Sequence, residues 1–225
     1  MTQDIIDAAD IRKVVEESRI PVVQGHQGDL HLGEIDGQRI FVKAATGNLL
    51  SAFARRLMLK REYHAYLRLE GVPGVPHCFG FYDGRYLALA AIEGQTLRNA
   101  VIQDRERFYG ELFEVIEAMH ARGVAHGDLM RRENILVDLH ECPVLVDFGV
   151  ATIYRHGFHP VNHALYRFFS QHDLNAWLKH KYKRRWELVT PEDARYHRRL
   201  LIDDLARGIK RTWLALRGWR KHNPQ

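Results

Sequence analysis

Asp128, Asn134 and Asp147 are the residues of this chain whose types and spacing suit chemistry. They lie in the stretch His126-Gly127-Asp128-Leu129-Met130-Arg131-Arg132-Glu133-Asn134-Ile135-Leu136-Val137 and, a few residues later, in Val146-Asp147-Phe148-Gly149. Two short β-forming runs, Ile135 to Val137 and Val144 to Val146, put the three polar side chains on the adjoining loops. Two carboxylates and an amide arranged in this way suit metal-bound phosphate chemistry. Mg²⁺ takes hard oxygen ligands and few of them from protein, so Asp147 and Asn134 are a sufficient cage once phosphate oxygens and water complete it. Asp128 is left to act as a base. The same residues also fit a plain strand-turn-strand with incidental acids, and the rest of the chain decides between the two readings.

Such a site needs a cation for the phosphates, and Lys43 is the candidate. It closes the run Ile40-Phe41-Val42, where alternation puts it on the face opposite Val42 and beside Phe41. Glu62 is the only acid between Gly37 and Leu69, and at helical spacing it falls with Met58, Leu59, Ala65, Tyr66 and Leu69 on an apolar face. A carboxylate turned toward a core is costly unless a cation and hydrogen bonds meet it. Lys43, 19 residues earlier, is at the separation that a strand, a loop and a helix returning over the sheet require. The competing reading pairs Glu62 locally with Arg55 or Lys60.

The remaining elements follow from periodicity. Ile5, Ile6, Ala9, Ile11, Val14 and Val15 predict an amphipathic helix before Pro21. Extended runs follow at Ile20 to Val23, Leu30 to Ile35, Arg39 to Ala44, Val75 to Tyr82 and Arg85 to Ala91, with Asp36-Gly37 and Asp83-Gly84 as tight turns, so a five-stranded antiparallel sheet is expected. Gly25 and Gly28 lie in the first connection, where they either bring backbone N–H groups to phosphates or simply turn a hairpin. Asp104 to Arg122 reads as a helix with Phe108, Leu112, Val115, Ile116 and Met119 on one face and Gly123 as its stop. Another helix is expected near Gln171 to Lys183, and a last one from Pro191, giving an α+β chain.

The formal charge of +5 conceals an asymmetry: from Lys179 onward 14 Lys and Arg oppose 5 Asp and Glu, net +9, whereas the preceding chain has 19 against 23, net −4. The last predicted helix carries Leu201, Leu205, Ile209, Trp213, Leu216 and Trp219 along one stripe, flanked by Arg199, Arg207, Lys210, Arg211, Arg217 and Arg220. The stripe either docks on its own domain or, over residues 199–221, meets an anionic membrane surface. No apolar run approaches membrane-spanning length and the start Met1-Thr2-Gln3-Asp4 is unlike a signal peptide, so a cytoplasmic protein, peripheral at the inner membrane in the second case, is expected. Cys78 and Cys142 read as buried thiols, not a disulfide or zinc pair. His156, His159 and His163, without a carboxylate or thiol partner, read as loop histidines rather than metal ligands.

Taken together, Lys43, Glu62, Asp128, Asn134, Asp147 and Gly149 resemble the signatures of the protein-kinase-like superfamily over about Val23 to Gly149. Small size and the His-Gly-Asp opening are more similar to lipopolysaccharide core kinases and RIO-type kinases than to eukaryotic signalling kinases. The resemblance implies a two-lobed fold: an N-terminal extension over 1–19, a nucleotide-binding lobe over 20–92, and a helical lobe over 93–225 with Asp173 bracing the catalytic loop. It also implies ATP with Mg²⁺, or Mn²⁺, as cofactors, Glu93 and Gly94 at a hinge that meets adenine through backbone groups, and no specific nucleic acid as partner. Two departures stand out. Five residues separate Asp128 from Asn134 where the eukaryotic enzymes have four, and Met130 replaces their Lys, so a loop cation at the transferred phosphate has to be Arg131 or Arg132. No peptide-positioning motif follows Gly149. The favoured acceptor is therefore a lipopolysaccharide core sugar or similar anionic glycolipid, with protein serine/threonine as the alternative and a nucleotide-binding pseudokinase as a third reading.

Overall fold

The computed structural model describes residues 6–18, 23–25, 28–46, 49–183 and 185–198. The basic stripe over 199–221 and the start of the first predicted strand lie outside them. Helix α1 (Ala8–Glu17) is followed by β1 (Val23–Gly25), β2 (Gly28–Ile35) and β3 (Gln38–Ala44), then by the long helix α2 (Leu49–Arg68) and the hairpin of β4 (Cys78–Tyr82) and β5 (Tyr86–Ala90). These strands form one antiparallel sheet in the order β1-β2-β3-β5-β4. Asp36-Gly37 and Asp83-Gly84 have φ of 50°, 78°, 50° and 63°, the left-handed pairs that match the twist of a two-residue hairpin. The fourth strand starts at Cys78 and not at Val75, because Gly74 has φ +78° and its carbonyl bonds Leu145 N–H outside the sheet.

Alternation along β3 separates two cores. Ile40, Val42 and Ala44 are buried on the face covered by Ile11 and Val14 of α1 and by Ile6 just before it. Gly33 of β2 lies so close to α1 that a Cβ there would meet Val14 Cγ1 at 2.5 Å. Phe41 and Lys43 occupy the opposite face, that of α2. The larger core runs without interruption from Leu59, Tyr66 and Leu69 of α2 through Leu87 and Leu89 of β5 into the helices that follow.

Those later elements are β6 (Gly94–Thr96), α3 (Arg105–Ala121), β7 (Val124–Ala125), β8 (Ile135–Asp138), β9 (Pro143–Leu145), β10 (Thr152–Ile153), α4 (Pro160–Lys181) and α5 (Pro191–Ala194). Helix α3 is the one read from the sequence: Asp104 caps it by accepting from Arg107 N–H, and its five expected apolar residues are buried. Helix α4 begins at Pro160, eleven residues before the predicted Gln171. Proline suits a first helical turn, and the mixed face of Val161 to Ser170 hides the helical period. Cys78 and Cys142 are half-buried, not buried; desolvation pushes the Cys78 thiol to about 12, so it is unreactive as a thiolate. Among the described residues no helix is long and apolar enough to cross a membrane.

Gly94 is where β6 meets β8, paired with Asp138, and a Cβ on it would stand 2.2 Å from the Val137 carbonyl oxygen. Gly94→Ala is expected to push these strands apart and lower stability by about 1–3 kcal/mol, read as the shift of a urea unfolding midpoint. An unchanged midpoint would mean that the two strands are not in this register.

Candidate active site

Lys43 Nζ lies 2.7 Å from Glu62 Oε1 and 3.2 Å from Asp147 Oδ1. Three remote elements therefore converge on one ammonium: β3, the inner face of α2, and the loop after β9. Glu62 is 1% exposed and its burial works against its charge, so it relies on Lys43 for compensation. Burial also works against the charge on Lys43, but Glu62 and Asp147 outweigh it and hold the ammonium above the ordinary lysine value. The pairing is lost as pH rises through the elevated lysine value, and also as pH falls through the Glu62 value, which burial raises. Arg55, the local alternative for Glu62, instead donates to the Thr46 carbonyl. An ammonium has three donors, and with two engaged by carboxylates the third is available to a phosphate oxygen.

Asp147 has φ +68°, a left-handed conformation that costs a non-glycine residue energy and is held only where surroundings insist on it. The surroundings are specific. Val146 N–H donates to the Asn134 carbonyl at 3.0 Å, His126 Nε2 meets the Val146 carbonyl at 3.0 Å, and Phe148, fully buried, packs edge-on against Tyr66 of α2. Asn134 Nδ2 donates to the backbone and side chain of Asp128, at 3.0 Å to the carbonyl and 3.1 Å to Oδ2. An amide facing a carboxylate must present its NH₂, which leaves the Asn134 side-chain oxygen and the second oxygen of Asp147 as hard donors. This donor set fits Mg²⁺.

The loop from His126 to Asn134 is held by α4. Asp173, with no exposed surface, accepts from His126 N–H at 2.8 Å and Gly127 N–H at 2.9 Å, and its Oδ2 is 3.2 Å from His120 Nε2. His180 Nε2 lies 2.9 Å from the Leu129 carbonyl. Between Asp128 and Asn134 the chain makes a short 3₁₀ turn over Arg132–Asn134, with Arg131 N–H bonded to the Asp128 carbonyl and Asn134 N–H to the Arg131 carbonyl. His180 is seven residues, two turns, beyond Asp173 and so on the same face of the helix, but its role depends on the Leu129 carbonyl.

The other expected residues fall nearby. Gly25 and Gly28 face each other as the paired ends of β1 and β2. The Glu93 side chain forms an ion pair with Arg39, and Gly94 opens β6. The Arg131 guanidinium is exposed, 3.7 Å from Asp128 Oδ2, and Arg132 lines a cavity. His163 belongs to α4 rather than a loop and stacks on Tyr154.

No protein-family model matches the chain. Over 144 residues, 58% of its length, it is 30% identical to the serine/threonine-protein kinase PknE of Mycobacterium tuberculosis, of which it covers 25%. It is 25% identical over 130 residues, 54% of its length, to the carbon catabolite-derepressing protein kinase of Saccharomyces cerevisiae, covering 20% of it. Over 52 residues, 23% of its length, it is 38% identical to the serine/threonine-protein kinase grp of Drosophila melanogaster, covering 10%. The chain thus spans a quarter or less of these curated relatives, and its distant relatives are protein kinases.

Lys43→Met leaves Glu62 ionised in the core without its cation, which should cost about 3–5 kcal/mol at neutral pH. Burial raises the pKa of such a lone carboxyl, and its neutral form is the one tolerated, so the melting deficit against wild type should shrink as pH falls from about 8 to about 5. Adding Glu62→Gln should restore most of the loss at pH 8. A deficit that is the same at every pH, in melts followed by circular dichroism, would show that Glu62 does not depend on Lys43.

Proposed function

We propose that this protein is a two-lobed member of the protein-kinase-like superfamily that transfers the γ-phosphoryl group of ATP to an alcohol hydroxyl. The lobes are residues 20–92 and 93–225, with 1–19 as an N-terminal extension. The observation that carries the reading is the ammonium of Lys43 held between Glu62 and Asp147 while Asn134 orients Asp128. These five residues come from distant parts of the chain and their arrangement suits phosphoryl transfer, and the protein kinases among its relatives support the same reaction class.

In this reading Lys43 donates to the α- and β-phosphates, with Glu62 fixing its position. Asn134 and Asp147 hold Mg²⁺, which supplies charge neutralisation on the phosphate oxygens. Asp128, steadied by Asn134 Nδ2, receives the acceptor's hydroxyl proton. Glu93 and Gly94 border the adenine, and Gly25 and Gly28 cover the phosphates from the first hairpin. Catalysis is then mainly positioning and electrostatics.

Two acceptor classes follow from different observations. The names of the relatives favour a serine or threonine of a protein. Only residues 150–159 separate Gly149 from α4, little chain for a peptide platform, and this favours a non-peptide acceptor such as a glycolipid sugar.

Asp128→Asn should keep Mg–ATP affinity and slow transfer by about 10²–10⁴. Asp147→Asn should lose nucleotide-dependent turnover altogether while melting as a folded protein. Labelled ATP offered with a lysate separated into protein and lipid fractions reads both variants and the acceptor class together. Turnover like wild type in either folded variant would refute the assignment.

A further inference from the structure

A cavity of about 530 Å³, lined in part by the loop after Asp128 but not by Lys43 or Asp147, has an unusual lining. Arg98 comes from the segment after β6, Arg131 and Arg132 from the loop itself, Lys179 from the last turn of α4 and Lys183 from just beyond it, and the lining includes a single carboxylate, Glu133. Glu133 is engaged by Arg98 at 2.6 Å. Among the described residues neither Arg132 nor Lys183 has an ion-pair partner. Lys183 follows the C-cap Tyr182 with φ +49°, the left-handed turn in which helices commonly end, and this turn brings it to the cavity. Five cations drawn from three separate segments repel one another, and no helix-end effect explains Arg98, Arg131 or Arg132. Such a concave field concentrates an anion.

The cavity adjoins the proposed base. Arg131 lines it, and the same guanidinium lies 3.7 Å from Asp128 Oδ2. An anion bound there is therefore a short reach from the carboxylate that takes the hydroxyl proton. Its volume lies in the range of small-molecule pockets, roughly 300–1,000 Å³, rather than that of an extended peptide groove.

We propose that this cavity holds the phosphate group of a small hydroxyl-bearing phosphate ester and that this ester is the acceptor. The inference rests on the kinase reading. The ester's hydroxyl oxygen bonds to Pγ of ATP, the bond from Pγ to the bridging oxygen breaks and leaves ADP, and the hydroxyl proton passes to Asp128. Arg131 and Arg132 thereby serve the acceptor, and the nucleotide phosphates are left to Lys43.

The test is calorimetric titration of the full chain, saturated with Mg–ADP, with glycerol 3-phosphate, inorganic phosphate and glycerol. Both phosphates should bind at millimolar concentration or better, weaken with added salt, and lose about tenfold in affinity in the double variant Arg98→Gln, Lys183→Gln, whose Mg–ADP affinity stays that of wild type. Glycerol should not bind. The rescued variant Lys43→Met, Glu62→Gln, titrated without nucleotide beside wild type without nucleotide, should keep phosphate affinity, because Lys43 does not line the cavity. The proposal is overturned if the Arg98→Gln, Lys183→Gln variant binds phosphate as wild type does, if Lys43→Met, Glu62→Gln loses the binding while melting as a folded protein, if neither phosphate binds, or if an acidic serine peptide binds through Arg98 and Lys183 in place of the esters. Failure of the kinase reading looks different: Mg–ADP then binds wild type and Asp147→Asn equally weakly.

Discussion

The structure depends on one charge cluster in a nearly dry setting. Glu62 points from α2 into the core, where burial opposes its ionisation, and it is tolerated because Lys43 reaches it from β3. Lys43 in turn draws in Asp147, so the loop after β9 is fixed against the sheet although that loop belongs to a different part of the chain. Removing one partner leaves a buried charge unmatched, which is costlier than the net worth of the pair. The arrangement thus specifies where α2, β3 and the loop meet more than it stabilises them. Arg61, one position before Glu62, adds a second tie by donating to the Ala151 carbonyl at 3.0 Å.

A similar logic holds the loop that carries Asp128. A loop inside a protein must satisfy its own backbone N–H groups, and those of His126 and Gly127 have no strand partner. One carboxylate, Asp173, satisfies both, and because it is charged each bond is stronger than a neutral one. The loop is consequently referenced to α4, whose Trp177 anchors to α3 through the Tyr109 carbonyl at 2.7 Å. Asp128 and Asn134 inherit their positions from this frame, and strain at Asp147 is sustained by the same packing through Phe148.

The charge of the surface is divided to match. Carboxylates concentrate at the centre, where Lys43 and a divalent cation can balance them, while the cations gather around a cavity. One short segment, Arg131 to Asn134, faces both fields. Across its 3₁₀ turn, Arg131 and Arg132 line the cavity while the Asn134 amide bonds Asp128.

The sequence by itself determined the sheet hairpins, the buried face of α3, and the identity of the polar residues at the centre, because each is written in local chemistry. Asp-Gly pairs enforce left-handed turns, a 3.6-residue period marks a helix face, and a lone acid on that face demands a cation. The Lys43–Glu62 pair was legible for that reason, whereas the bracing role of Asp173 was legible only through the resemblance to kinases. What only tertiary structure decided concerns residues whose meaning is set by distant neighbours. The start of α4 at Pro160 was hidden because its first turns bury no regular stripe. His180 takes its role from the Leu129 carbonyl, which no local pattern announces. Gly94 is needed as glycine because β8 passes within contact of it, not because of its own turn. Arg98, Arg132 and Lys183 look like ordinary surface cations in sequence. They become a site only because three segments converge, and electrostatic fields add in space rather than along the chain.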